Sequence, residues 1–302
     1  MTALYTNELP GSTTGEPTDI ARSHRLLSRR IREIVLERSW RAGAGHIGSA
    51  LSVADMLAVL FGGAIKVLDV EDPERDRFVL SKGHAALALY AALYETERLS
   101  GEQLESFCVD GSPLATHPEH VVPGIDFSTG SLGQGLSFAV GAALAARMQG
   151  SPRRAFALLS DAECDEGSIW EAIMFAAHHR LGNMIALVDV NGQQALGYTR
   201  EVLDLAPLSA RWRAFGWDVH DVDGHDVEQL RDVLEGLDGA GPPHVLLAHT
   251  TFGKGVAYME NAIPWHYRSM TDQQYELALS QLEAQAPARE APELQSAGGA
   301  AR

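Results

Sequence analysis

The sequence predicts an α/β protein: a doubly wound parallel sheet with helices on both faces. Three observations carry this. Short β-rich runs at 155–159, 184–190, 217–222 and 244–248 alternate with helical stretches, the punctuation of βαβ units. The runs Phe156-Ala-Leu-Leu159 and Ile185-Ala-Leu-Val188 are continuously apolar rather than alternating, as expected of strands covered on both sides. No internal repeat interrupts the series, which reads as one sheet.

In chain order, residues 1–16 are rich in Thr, Gly and Pro and predict disorder. Residues 20–40 carry Leu27, Ile31, Ile34 and Val35 at helical spacing with polar residues between, so a long amphipathic helix opens a domain spanning 17–283. The glycines at 133 and 135 let backbone approach closely before a helix over 136–148. A strand at 155–159, a helix at 169–179 and a strand at 184–190 form one βαβ unit, and the strands at 217–222 and 244–248 follow it. Residues 284–302 have no periodicity and predict a disordered tail.

With 302 residues, 45% of them hydrophobic, the chain is long enough for a substantial core. A formal charge of −16 without any Lys or Arg run argues against nucleic-acid or anionic-membrane surfaces, which need clustered cations. An anionic cofactor therefore has to be held by local devices: a metal, a few His or Lys, or helix N-termini. Cys108 and Cys164 make no disulfide framework, no signal peptide is recognisable, and no apolar run reaches bilayer length. These features predict a cytoplasmic protein.

Two motif matches are decoys. Gly43-Ala-Gly-His-Ile-Gly48 fits a dinucleotide fingerprint by letter, but a helix leads into it where that fingerprint requires a strand. The acids Asp161, Glu163 and Asp165 have calcium-loop spacing, but Glu166 occupies the place of the obligatory turn glycine. The informative pattern is different. In doubly wound sheets ligands sit at the carboxyl ends of strands, and Asp161 and Asn191 each follow a predicted strand, joined by one crossover helix. Hard oxygen donors so placed suit Mg2+, which commonly completes its octahedral shell with phosphate oxygens. A lone acid in such a loop is as readily a solvated face; the pairing is what implies a metal-bridged diphosphate.

An Asp-containing turn followed about thirty residues later by Asn-Gly resembles the thiamine-diphosphate motif, and Ser160-Asp-Ala-Glu-Cys-Asp-Glu-Gly-Ser-Ile-Trp-Glu171 resembles its transketolase form. Four further segments are similar to that family and occur in its order: Gly45-His-Ile-Gly48, Asp76-Arg-Phe-Val-Leu-Ser-Lys-Gly-His84, Ser128-Thr-Gly-Ser-Leu-Gly-Gln-Gly135 and Phe175-Ala-Ala-His-His-Arg-Leu181. The resemblance runs from about residue 20 to 270. It implies thiamine diphosphate and Mg2+ as cofactors, with Asp161 and Asn191 as side-chain metal ligands and Gln193 lending a main-chain carbonyl. Ala162 and Glu163 would lie beside the diphosphate, and the Gly130-Ser131-Leu132 loop against the aminopyrimidine ring. His84 and His266 match histidines that contact diphosphate or reacting substrate; His46 and His117 match histidines lining the substrate channel. Each one taken singly is better explained as a structural or merely exposed His. Four of the chain's twelve at family positions favour the catalytic reading. Ketol transfer makes and breaks hydroxyls, so groups that shuttle protons near neutral pH belong there. Lys254 either reaches an anionic group of cofactor or substrate or points into water.

The chain departs from the family at Ser160 and Ala162, where glycines usually flank the metal-binding Asp, and at Ile47, Ser131 and Leu196. It also carries nothing similar to the family's pyrimidine-binding domain with its cofactor-activating Glu. The resemblance thus implies the N-terminal, diphosphate-binding subunit of a split transketolase, in which two copies of this chain pair with two copies of a separate C-terminal subunit. The reaction expected is transfer of a two-carbon ketol unit from a ketose, phosphorylated in the family's usual case, to an aldose. The alternatives are transfer to an unusual acceptor, as in sulfosugar or secondary metabolism, and the role of a non-catalytic partner subunit.

Overall fold

The computed structural model describes residues 17–66 and 69–285. The segments for which the sequence predicts disorder lie outside the described residues, except 284 and 285. Helix α1 (Pro17–Ala42) buries Ile31, Val35 and Leu36 on one stripe, the face expected from their spacing. Two short helices, α2 (Ile47–Ser52) and α3 (Ala54–Val59), and a π-helical turn, Leu60–Ala64, lead to strand β1 (Arg77–Leu80). Then follow α4 (Ala86–Glu95), α5 (Gly101–Glu105), α6 (Gly135–Met148), β2 (Ala155–Ser160), α7 (Gly167–His178) and β3 (Met184–Val190). A two-stranded hairpin, β4 (Gln193–Gln194) and β5 (Gly197–Tyr198), precedes α8 (Thr199–Val202) and α9 (Leu208–Ala214). The last elements are β6 (Asp218–Asp223), α10 (Val227–Glu235), β7 (His244–His249) and α11 (Asp272–Ala284).

The main sheet has strand order β1-β2-β3-β7-β6, every neighbour parallel. Side-chain alternation divides the core into two layers. Phe156 and Leu158 of β2 and Ile185 and Leu187 of β3 pack with residues of α1, α3, α4 and α10. Ala157 and Leu159, with Ala186 and Val188, face α6, α7 and the α9 residue Trp212. Both faces are therefore covered, which is why residues 155–159 of β2 and 184–188 of β3 are apolar at every position. α11 is closed at its start by a capping box between Thr271 and Gln274, and Asp226 caps α10 through the N–H groups of Glu228 and Gln229.

Two details differ from the sequence expectation. The strand expected at 217–222 is Asp218–Asp223, because Trp217 turns into the α9-side core and is buried against Trp212. β1 escapes the pattern altogether, since four residues of which the first is Arg77 are too few to show a period. The Gly43–Gly48 segment follows α1 directly, so no strand feeds it.

Candidate functional site

The carboxyl ends of β1, β2, β3 and β7 deliver Ser81, Asp161, Asn191 and Thr250 to one edge of the sheet. After β1 the chain passes to α4 on one face, whereas after β2 and β3 it passes to α7 and α9 on the other. Such divergence opens the crevice in which doubly wound sheets hold ligands.

The turns after β2 and β3 are stitched together by Asp161. Its Oδ1 accepts from the Ala162 N–H at 2.9 Å, and its Oδ2 accepts from the Gly192 N–H at 2.9 Å. Asn191 Oδ1 accepts from the Gln193 N–H at 2.9 Å, while its Nδ2 donates to Asp189 at 2.8 Å, so the amide orientation is fixed. Burial, followed by the nearby Asp189, pushes the Asp161 carboxyl up to about 7. Asp161 Oδ1 and Asn191 Oδ1 each keep a lone pair free for a further partner, whereas Asp161 Oδ2 also accepts from Thr199 Oγ1 at 3.5 Å. Ala162 opens a short 3-10 turn, Ala162–Asp165, and is not among the residues with positive φ, so a methyl there imposes no backbone strain. This turn also disposes of the calcium-loop reading. The N–H of Glu163 is bonded to Ser160 Oγ at 3.1 Å, and its carboxylate accepts from Ser81 Oγ at 2.5 Å and from the Gly133 N–H at 2.8 Å. Glu163 is thereby a brace between β1, β2 and the loop before α6, and burial raises its pKa.

Two residues that the sequence reading missed lie beneath. Lys82 and Asp189 are fully buried and paired, Nζ to Oδ2 at 2.5 Å. Asp189 also accepts from Ser52 Oγ at 2.8 Å, from Thr250 Oγ1 and from Asn191 Nδ2. Burial opposes its ionisation, but Lys82 and these donors outweigh that and hold its carboxyl below the usual range. A signal existed: an acid inside the apolar run of β3 needs a buried partner. Lys82 stands in a segment singled out for His84.

The four sequence-predicted histidines meet. The His46 ring lies 5.4 Å from that of His84 and 6.1 Å from that of His117, centroid to centroid, and the His46 N–H donates to the His266 carbonyl at 2.9 Å. His46 itself is left-handed, at φ 62°, as the N-cap of α2. Gly130 fits against His117: a Cβ there would lie 3.1 Å from its Cδ2. Burial lowers the pKa of all four; Lys82 adds to the lowering at His84, His46 and His266. His266 falls to about 4 and His84 lies well below the ordinary value of 6.5. All four are neutral imidazoles at pH 7, able to give one hydrogen bond and accept another. His46 Nδ1 and His266 Nε2 are buried without a hydrogen-bond partner.

Ser131 is exposed and accepts from Gln134 at 3.4 Å, and Leu132 is half-buried beside it. Lys254 lines a cleft at the ends of β6 and β7 with Asp221, Asp223, His225 and His249, and this cleft is also lined by Thr250.

A domain of this fold, with a hard-oxygen turn and a neutral imidazole cluster over one crevice, is built to bind a cofactor and conduct proton-coupled chemistry. Residues 23–288 match the family described as "Transketolase, thiamine diphosphate binding domain". The chain is 42% identical over 258 residues to the 6-deoxy-6-sulfo-D-fructose transketolase subunit SqwG of Clostridium sp. (strain MSTE9), covering 84% of this chain and 94% of that one. It is 40% identical to an apulose-4-phosphate transketolase subunit from Phocaeicola vulgatus, over 85% of this chain and 92% of the relative. The crystal structure of transketolase from Campylobacter jejuni superposes with a TM-score of 0.79 at 29% identity, over 88% of this chain and 43% of that one. The chain thus spans nearly all of the relatives named as subunits and under half of that solved transketolase. It belongs to the transketolase family, a family of transferases, and carries the thiamine diphosphate binding domain.

Proposed function

We propose that this chain is the diphosphate-binding subunit of a two-chain, cytoplasmic transketolase that moves a two-carbon ketol unit from a ketose with an anionic end group to an aldose. The single observation that carries the reading is the convergence of His46, His84, His117 and His266, from four separate segments, beside the Lys82–Asp189 pair to which Asn191 is also bonded. Both relatives named as subunits bear the names of anionic sugars, which supports the donor class.

The residues fit the implied cofactors. Asp161, Asn191 and the Gln193 carbonyl would hold Mg2+, leaving the rest of the octahedron to phosphate oxygens and water. Among the described residues no three His, Cys, Asp or Glu side chains form a metal cluster. That agrees with a set of one carboxylate, one amide and one carbonyl. The free lone pair of Asp161 Oδ1 and the raised pKa of this carboxyl suit a cation arriving with the cofactor. Thiamine diphosphate, when bound, supplies the electron sink that lets a carbon–carbon bond beside a ketone be cut and remade.

This chain's own contribution is proton handling and orientation. His84 and His266 stay unprotonated at neutral pH, so each can accept the proton of a donor hydroxyl that becomes a carbonyl and deliver it to the acceptor carbonyl oxygen that becomes a hydroxyl. His46 and His117 face the same space and fix the hydroxyls of the chain passing it. Lys82 supplies positive charge under the cluster without entering it. A partner chain, in an assembly with two copies of each, would contribute the pyrimidine-binding domain and the activating Glu. The exposed apolar side chains of α6 and α7, which start at the two edges of the site, support such a partner.

Calorimetry of thiamine diphosphate with Mg2+ tests the reading, run on this chain, on the C-terminal chain of a two-chain transketolase, and on the mixture. Tight binding in the mixture alone, abolished by Asp161→Ala, is expected. No binding in the mixture overturns it in favour of a non-catalytic role. A donor screen then decides the substrate: turnover of 6-deoxy-6-sulfo-D-fructose but of no phosphorylated ketose would replace sugar phosphates by sulfosugars.

A further inference from the structure

Tyr267 stands at the rim of the histidine cluster and has no place in the chemistry described so far. Its ring lies 5.7 Å from that of His46, edge to face, and 6.4 Å from that of His266. It is 66% exposed although the two residues before it, Trp265 and His266, are buried. A lone exposed aromatic needs no explanation. This one is held by its backbone: a Cβ on Gly45 would lie 2.8 Å from the Tyr267 carbonyl oxygen, and the His46 N–H is bonded to the His266 carbonyl. The 45–46 turn and the 266–267 segment are clamped together, which sets the Tyr267 backbone beside the imidazoles. Its hydroxyl has no hydrogen-bond partner among the described residues.

Resting on the ketol-transfer reading above, we propose that Tyr267 is a substrate-binding residue whose ring face packs against the C–H edge of the sugar chain while the imidazoles take its hydroxyls. Every sugar chain presents both kinds of surface. The histidines satisfy the polar one, and among the cluster's neighbours Tyr267 is the exposed apolar face that meets the other. Its free hydroxyl adds a donor for a sugar oxygen.

The test uses the assembled two-chain enzyme with thiamine diphosphate and Mg2+, as wild type, Tyr267→Phe and Tyr267→Ala. D-fructose 6-phosphate and 6-deoxy-6-sulfo-D-fructose are the sugar probes, read by steady-state kinetics and by direct calorimetric binding. Tyr267→Ala is expected to raise KM and sugar Kd roughly three- to tenfold, the range of a lost aromatic contact, with kcat within twofold and cofactor affinity unchanged. Tyr267→Phe keeps the ring and should give a clearly smaller rise. Unchanged sugar Kd in Tyr267→Ala, or no binding of either sugar to wild type, overturns the proposal while cofactor binding leaves the transketolase reading standing. Loss of assembly or of cofactor binding in Tyr267→Ala overturns it too, because the ring would then serve the partner contact. Failure of the wild-type mixture to bind cofactor at all overturns both.

Discussion

Lys82 and Asp189 are both 0% exposed, so neither charge can be satisfied by water. Removing one partner from such a pair leaves the other uncompensated, at a cost of about 3–5 kcal/mol. Lys82→Met should therefore lower stability by that amount in urea denaturation, and Lys82→Met combined with Asp189→Asn should lower it by less than Lys82→Met alone. Additive losses would mean that the two groups do not depend on one another. His266 gives the pH dependence. Its pKa is about 4 in the folded chain, against 6.5 for the free group, mainly through burial. As pH falls from the higher value toward the lower, the unfolded chain takes up a proton that the folded chain refuses, so stability present at neutral pH is lost. Between about pH 7 and pH 5 this amounts to up to about 2 kcal/mol. His84, His46 and His117 are shifted in the same direction. Denaturation curves for His266→Phe should show a shallower pH slope than wild type over that interval; an equal slope would mean that His266 is protonated in the folded chain as well.

The glycines show what the helices and strands require of one another. Gly135 opens α6 where that helix meets the end of β1, and a Cβ there would collide with Ser81 Oγ and lie 2.7 Å from Ser81 Cα. The Cα belongs to fixed backbone, so either the helix or the strand end must move. Gly135→Ala should cost roughly 1–3 kcal/mol in a thermal melt, the usual range for overpacking. Because Ser81 Oγ braces Glu163, it should also weaken thiamine diphosphate binding by the assembled pair. Unchanged cofactor affinity in a destabilised variant would show that the brace is not needed. The same tight joints explain what could be seen in the sequence. β2 and β3, buried on both faces, announce themselves as unbroken apolar runs, and α1 by its stripe. Asp161 and Asn191 are legible because each follows a buried strand and one crossover helix joins the two, which places them at the same end of the sheet. Lys82 and Tyr267 are not, since a short strand hides the first and a three-dimensional clamp places the second. Lys254 is ambiguous in one dimension between an anion contact and solvent, and the turn after β7 sets it in a cleft with Thr250 and His225.

The whole chain presents an apolar surface beside its own site. Phe138 is 43% exposed and stacks on Phe127, and Met174 and Phe175 are 48% and 44% exposed on the neighbouring helix. α6 and α7 start, respectively, just after the Gly130-Ser131-Leu132 loop and just after the Asp161 turn, so a partner seated on these helices would overhang both halves of the crevice. Exposed apolar side chains on two neighbouring helices are the kind of surface that the proposed partner would cover. The pair Phe138→Glu and Phe175→Glu places charges on that face without entering the core. The double variant should keep the melting temperature of the isolated chain to within a few degrees. It should weaken association with the C-terminal partner at least tenfold in sedimentation velocity, because each carboxylate would have to be desolvated on docking. Thiamine diphosphate affinity of the mixture should fall in parallel, as the proposed two-chain pocket requires. Normal association would place the partner on another face and leave the apolar surface of α6 and α7 to a second copy of this chain.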